Sequence, residues 1–232
     1  MTAGRLLLVR HGRTAYNSEA RLQGQIDIPL DAVGRWQART AAARLLTRHE
    51  PTAVVASDLS RAHETASFVA RTAGLDLAVD PRLRERGFGI WEGLTGDELR
   101  RDWAEQFAVW RAGGQPEGVG VETREQVAAR VREGILEHAA ALGPADTLVV
   151  VSHGSAISCA VGDLLGMPTH WHGFTGMLNA HWTELVATRG DFAPPWRMVG
   201  YNLGPTDASA DWNAGPDTTH ESDADAETRD PD

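Results

Sequence analysis

The sequence predicts a three-layer α/β/α fold whose central sheet is mostly parallel, with helices on both faces. Three observations carry this expectation. Short, continuous apolar runs alternate with segments of helical periodicity, the pattern of strands buried on both faces. Two of those runs end alike, in "LLLVRHG" and "LVVVSHG". The 232 residues, 42% of them apolar, suffice for one sizeable domain.

Taken in order, Leu6 to Val9 form the first strand. After a polar loop, "DAVGRWQARTAAARLLTRHE" carries Val33, Trp36, Ala43 and Leu46 at helical spacing. Pro51 separates this helix from the strand "TAVVAS"; "SDLSRAHETASFVARTAG" is a helix closed by Gly74, and "LDLAVD" is a third strand. The stretch from 94 to 121 reads as a short insertion over the sheet, a helical segment with Trp103, Phe107 and Trp110 on one face and then a Gly-rich loop. At helical spacing such aromatics belong first to core packing. "TREQ", beginning at Thr123, fits a capping box that opens a helix running towards Leu142, where Gly143 and Pro144 stop it. "DTLVVVS" is a fourth strand, "SAISCAVGDLLG" a helix, and "NAHWTELVAT" and "WRMVGYNL" alternate as two antiparallel strands.

Residues 1–203 are therefore expected to form the domain, and 204–232 a tail. The tail carries −8 of the net charge of −10 and is rich in Gly, Pro, Ser and Thr, so it is expected to be disordered. A net charge of −10 by itself suggests repulsion of nucleic acid, but only about −2 remains outside the tail, which changes that reading; no nucleic-acid partner is expected. With one cysteine, Cys159, there is no internal disulfide, and no apolar stretch approaches the roughly 18 residues of a membrane span. The N-terminal run is too short for a signal peptide, and a cytoplasmic protein is expected. All 22 basic residues are arginine, a bias expected from a GC-rich genome.

Ligand sites of open α/β sheets lie outside the carboxyl ends of the strands. His11 and His153 each follow such an end, Arg10 precedes His11, and "ASDLSRA" delivers Arg61 to the same edge. Guanidinium forks bind phosphate oxygens bidentately and keep their charge near neutral pH. A neutral imidazole between them can attack phosphorus in line while the arginines and the second imidazole stabilise the equatorial oxygens, without a metal or another cofactor. An alkoxide leaving group also needs a proton donor. "RLRERGFGIWEG" supplies Glu85 and, close by, Glu92, between which spacing alone discriminates weakly.

These motifs resemble the histidine phosphatase superfamily, in its phosphoglycerate mutase-like branch. "RHGRTAYN", "RLQGQIDIPLDAVGRWQA", "SDLSRAHETA", "LRERGFGIWEG" and "SHG" occur in the family's order, and the resemblance covers roughly residues 5–203. It implies a phosphoglycerate mutase-like fold, His11 as the phosphorylated nucleophile, Arg10, Arg61 and His153 completing the phosphate pocket, and Glu85 as the proton donor. It further implies that Asn17, Gln23, Gly24 and Gly154 bind substrate. The substrate is then a small phosphomonoester. The short segment after the acid-bearing motif lacks the long basic, proline-rich insertion of the mutases and favours hydrolysis over mutase activity. "TGMLNAHWTEL" and "PPWRMVGYNLG" are similar to actinobacterial members, which include glucosyl-3-phosphoglycerate phosphatases. Members are often homodimers.

Two readings of other classes compete. A metal site at "HWH", His170 to His172, has no accompanying cysteine or carboxylate pattern. A non-catalytic phospholigand-binding protein on the same fold is expected to lack a histidine, an arginine or the acid, and all are present.

Overall fold

A computed structural model describes residues 2–190, 192–205 and 210–213. Six strands, β1 (Arg5–Arg10), β2 (Ala53–Ala56), β3 (Leu77–Val79), β4 (Thr147–Ser152), β5 (Trp182–Ala187) and β6 (Trp196–Leu203), form one sheet in the order β3-β2-β4-β1-β5-β6. The first four strands are mutually parallel; β5 runs antiparallel to β1, and β6 to β5. The mixed α/β sheet matches the expected fold class. Leu6, Leu7 and Leu8 are fully buried, as are Val149, Val150 and Val151, because residues of a strand covered on both faces have no solvent side.

The helices are α1 (Ala15–Ser18), α2 (Ala32–Leu46), α3 (Ser60–Ala73), α4 (Gly96–Asp102), α5 (Ala104–Arg111), α6 (Arg124–Ala140) and α7 (Gly154–Leu164). Helix α2 packs on α3, and α6 on α7. Local chemistry sets their ends. Asp31 caps α2 by accepting from the Gly34 amide, and Thr123 and Gln126 form the capping box of α6. Gly74, at φ 69°, closes α3 in the left-handed conformation that glycine adopts without a Cβ clash.

Two regions differ from expectation. The helical segment after residue 94 is two helices, broken at Trp103, whose non-helical backbone (φ −137°, ψ 38°) ends α4 and starts α5. The break lets Phe107 join Phe88, Trp91, Leu99, Val119 and Val121 in a second small core, with Trp103 and Trp110 at its margin. In the C-terminal region read as a disordered tail, residues 210–213 form a 3-10 turn, and Trp212 is buried against Ala41, Ala180 and Trp36. An isolated indole in a polar segment gives no periodic signal, so its docking was not legible. Residues 206–209 and 214–232, on which the rest of the tail expectation falls, lie outside the described residues.

Candidate active site

Strand register builds the site. β1 pairs with β4 so that Arg10 stands opposite Ser152, and the next residues, His11 and His153, leave the sheet edge side by side with ring centroids 5.1 Å apart. On the other flank of β4, β2 pairs Ala56 with Val151, which brings the Ser57 hydroxyl within 2.9 Å of His153 Nε2. Arg61 follows as the second residue of α3, with no solvent exposure.

His11 Nδ1 lies 2.7 Å from the Gly12 carbonyl, an acceptor only, so Nδ1 carries the proton and Nε2 keeps its lone pair. Burial, and then the charges of Arg61 and Arg10, push the His11 pKa well below 6.5; the bond to Gly12 opposes this without reversing it. His153 is lowered well below 6.5 for similar reasons: burial first, then Arg61, His11 and Arg10. Both rings are therefore neutral at physiological pH. Burial also lowers Arg61, to about 10, so its guanidinium stays charged near neutrality, and lowers Arg10, where the neighbouring Glu85 carboxylate acts in the opposite direction.

The loops are held by the same arginines. Arg61 donates to the carbonyls of Ile26 and Gly24, both at 2.8 Å, and Arg10 donates to the Met177 carbonyl. Asn17 Oδ1 accepts from the Thr14 amide and from Asn179 Nδ2, each at 3.1 Å, and Gln23 Oε1 lies 2.9 Å from the Thr14 hydroxyl. A cleft of about 370 Å³ is lined by Arg10, His11, Asn17, Gln23, Gly24, Arg61, Glu85 and Gly154. His153 is not among the lining residues; it is fully buried beside His11.

The two carboxylates left open by spacing separate clearly. Glu85 lines the cleft, its oxygens accepting from the amides of Arg86 (2.8 Å), Ser155 (3.1 Å) and Ala156 (2.9 Å) at the start of α7. Glu92 instead accepts from the Gln25 and Phe88 amides, both at 3.0 Å, and so ties two loops together. A Cβ on Gly24 would stand 2.0 Å from Glu92 Oε1, so this brace demands glycine there.

Sequence reasoning missed the residues that extend the cleft beyond the phosphate groups: Arg124, Trp171, His172 and Phe174. Of these, Trp171 and His172 lie in "HWH" and Arg124 in "TREQ", but neither motif marked them as residues of the cleft. It also missed Arg130 of α6, which donates to the carbonyls of Arg82 (2.8 Å), Arg84 (2.7 Å) and Glu85 (2.9 Å) and forms a two-point ion pair with Glu122 at 2.7 and 2.8 Å.

Comparison with known proteins places the chain in a family. The family model of the histidine phosphatase superfamily (branch 1) matches residues 6–201. A glucosyl-3-phosphoglycerate phosphatase of Mycobacterium tuberculosis is 39% identical over 217 residues, which cover 87% of this chain and 96% of the relative. A probable phosphoglycerate mutase of Photorhabdus laumondii is 36% identical over 167 residues, 70% of this chain and 75% of the relative. Among solved structures, the mycobacterial glucosyl-3-phosphoglycerate phosphatase with VO3 superimposes with a TM-score of 0.77 at 38% identity, covering 86% of this chain and 99% of that one. A phosphoserine phosphatase of Entamoeba histolytica in complex with 3-phosphoglyceric acid gives 0.72 at 27% identity, over 85% and 96%. With the family model spanning all six strands but the first residue of β1 and the last two of β6, the chain belongs to branch 1 of the histidine phosphatase superfamily and is a phosphoric monoester hydrolase.

Proposed function

We propose that this histidine phosphatase hydrolyses glucosyl-3-phosphoglycerate, or a closely related sugar-bearing phosphorylated acid, through a phosphohistidine at His11. The observation that carries the mechanism is the neutral His11 ring, its Nδ1 proton fixed on Gly12 and its Nε2 lone pair free, in a cleft between Arg10 and Arg61. The substrate follows from the name and coverage of the mycobacterial relatives.

Nε2 of His11 attacks phosphorus in line, and the bond to the leaving oxygen breaks as Glu85 delivers a proton to it. Arg10, Arg61 and His153 hold the equatorial oxygens; the buried Nε of both arginines has no partner among the described residues, donor capacity that phosphate oxygens take up, and Nδ1 of His153 is likewise without a partner there. Asn17, Gln23, Gly24 and Gly154 shape the rim that meets the substrate. Glu85 then accepts a proton from the water that attacks the phosphohistidine, which frees His11 and inorganic phosphate. On this reading the enzyme works in the cytoplasm on a diffusible metabolite, without nucleic acid, and as a homodimer; sedimentation of the purified protein tests the last point.

The test is turnover of a phosphomonoester panel that includes glucosyl-3-phosphoglycerate, with rapid acid-free quenching to trap phosphoenzyme. His11→Ala is expected to abolish both turnover and labelling, and substantial residual activity overturns the covalent mechanism. Similarity to a probable phosphoglycerate mutase favours a second reading. Fast migration of phosphate between the positions of phosphoglycerate, with slow release of phosphate, would establish that one instead.

A further inference from the structure

Arg124 is the first residue of α6, set there by the Thr123 cap, and it lines the same cleft as the phosphate residues. Its Nε donates to the Thr169 carbonyl at 2.9 Å. Among the described residues, its two terminal nitrogens make no hydrogen bond or ion pair. The other arginine of the cleft outside the phosphate group is compensated: Arg21 binds Glu19 (2.9 Å), Glu98 (3.2 Å) and the Gly93 carbonyl (2.7 Å). Arg124 thus presents a half-buried guanidinium, held at one nitrogen and open at the two that form a carboxylate-binding edge.

Beside it stands an aromatic wall. Trp171 meets Phe174 edge-on at 4.8 Å, and Phe174 stacks on Tyr201 at 4.7 Å and 16°. The Tyr201 hydroxyl donates to the Thr175 carbonyl at 2.7 Å, and the Arg124–Thr169 bond ties the start of the wall to α6. The wall is therefore braced at both ends before substrate arrives, which reduces the ordering entropy lost on binding. A braced aromatic surface next to a fixed polar group suits a ligand with a flat apolar face and an anionic end.

We propose that Arg124 binds the carboxylate of the substrate and that Trp171 and Phe174 contact its sugar, a specificity site distinct from the phosphate pocket. The inference rests on the reading above that the substrate is a glycosylated phosphoglycerate. In such a molecule the carboxylate and the sugar branch from the same carbon, one removed from the phosphate-bearing carbon, so both must be met on the same side of the phosphate pocket. Phosphate itself is already matched by Arg10 and Arg61, which leaves Arg124 for the second anion.

The experiment compares wild type, Arg124→Gln and Arg124→Lys on glucosyl-3-phosphoglycerate, 3-phosphoglycerate and the carboxylate-free p-nitrophenyl phosphate. Loss of a charged hydrogen-bonding partner predicts about a tenfold to hundredfold fall in kcat/KM of Arg124→Gln on both acids, expressed in KM. Activity on p-nitrophenyl phosphate should change less than about twofold, with partial recovery on the acids in Arg124→Lys. An equal loss on all three substrates, or none on the acids, overturns the carboxylate role. If wild type fails to prefer the acids to p-nitrophenyl phosphate, the substrate reading falls and this inference with it, a result seen before any variant is made.

Discussion

Removing the side chain of Arg130 tests how the acid-bearing loop is held. Its guanidinium satisfies three carbonyls, of Arg82, Arg84 and Glu85, and pairs twice with Glu122, whose Oε2 also accepts from the Gly87 amide at 3.0 Å. Arg130→Met strips this group and leaves a carboxylate whose side chain is only 20% exposed. Breaking a fully buried pair costs about 3–5 kcal/mol; the residual exposure of both partners reduces this to about 2–3 kcal/mol. For a chain of this size, that is a fall in Tm of roughly 4–12 °C. Glu85 loses its backbone anchor, so kcat is expected to drop about tenfold or more while KM stays within about threefold. The assay is calorimetric melting with steady-state kinetics on Arg130→Met, Glu122→Gln and the double variant. Because the double variant removes the stranded charge, it should be less destabilised than the two single changes added together. A simple sum, or a single variant that melts within about 1 °C of wild type, refutes the clamp.

Acid should weaken the fold through the two histidines. Their folded-state pKa values lie well below the usual 6.5, so between the two values the unfolded chain binds more protons, and stability rises with pH and is lost as pH falls from about 6.5. Denaturant titrations across pH 5–8 should show this slope, and His153→Gln should flatten it; an unchanged slope in the variant contradicts the assignment. Trp212 donates to the Asn179 carbonyl at 2.9 Å, and Asn179 Nδ2 donates in turn to the His11 carbonyl at 3.1 Å, so Trp212→Ala should cost up to about 3 kcal/mol and also lower kcat. Melting and turnover indistinguishable from wild type would show that the turn at 210–213 carries no load. Gly24→Ala places a Cβ against Glu92 at a backbone φ of +52°, and a loss of about 2 kcal/mol or more is expected, with a raised KM; a neutral melting curve argues against the brace.

The element pattern was legible because its signals are local. Apolar runs, caps and Gly74 depend on neighbours within a turn or two, and the "RHG" and "SHG" endings placed both histidines beyond parallel strands. Apart from the short α1 in the stretch expected to be a polar loop, the break at Trp103 and the turn at 210–213, the strands and helices lie where periodicity put them. The sequence by itself also placed Arg10, His11, Arg61 and His153 at strand ends or the start of the following helix, and strand order and register then brought them together.

Tertiary structure alone decided the rest, for one physical reason: each remaining choice depends on which distant backbone groups a side chain finds. Glu85 and Glu92 are the same chemical group within one motif, and only the amides they meet, at α7 for one and at the Gln25 and Phe88 loops for the other, divide a place on the cleft from bracing. Arg124 and Arg130 both lie in α6, yet among the described residues Arg130 finds five acceptor atoms, three carbonyls and both Glu122 oxygens, while Arg124 finds only the Thr169 carbonyl. Trp212 stands alone in a polar segment, and its burial follows from a recess formed by Ala41, Ala180 and Trp36, residues from separate parts of the chain that no local pattern brings together.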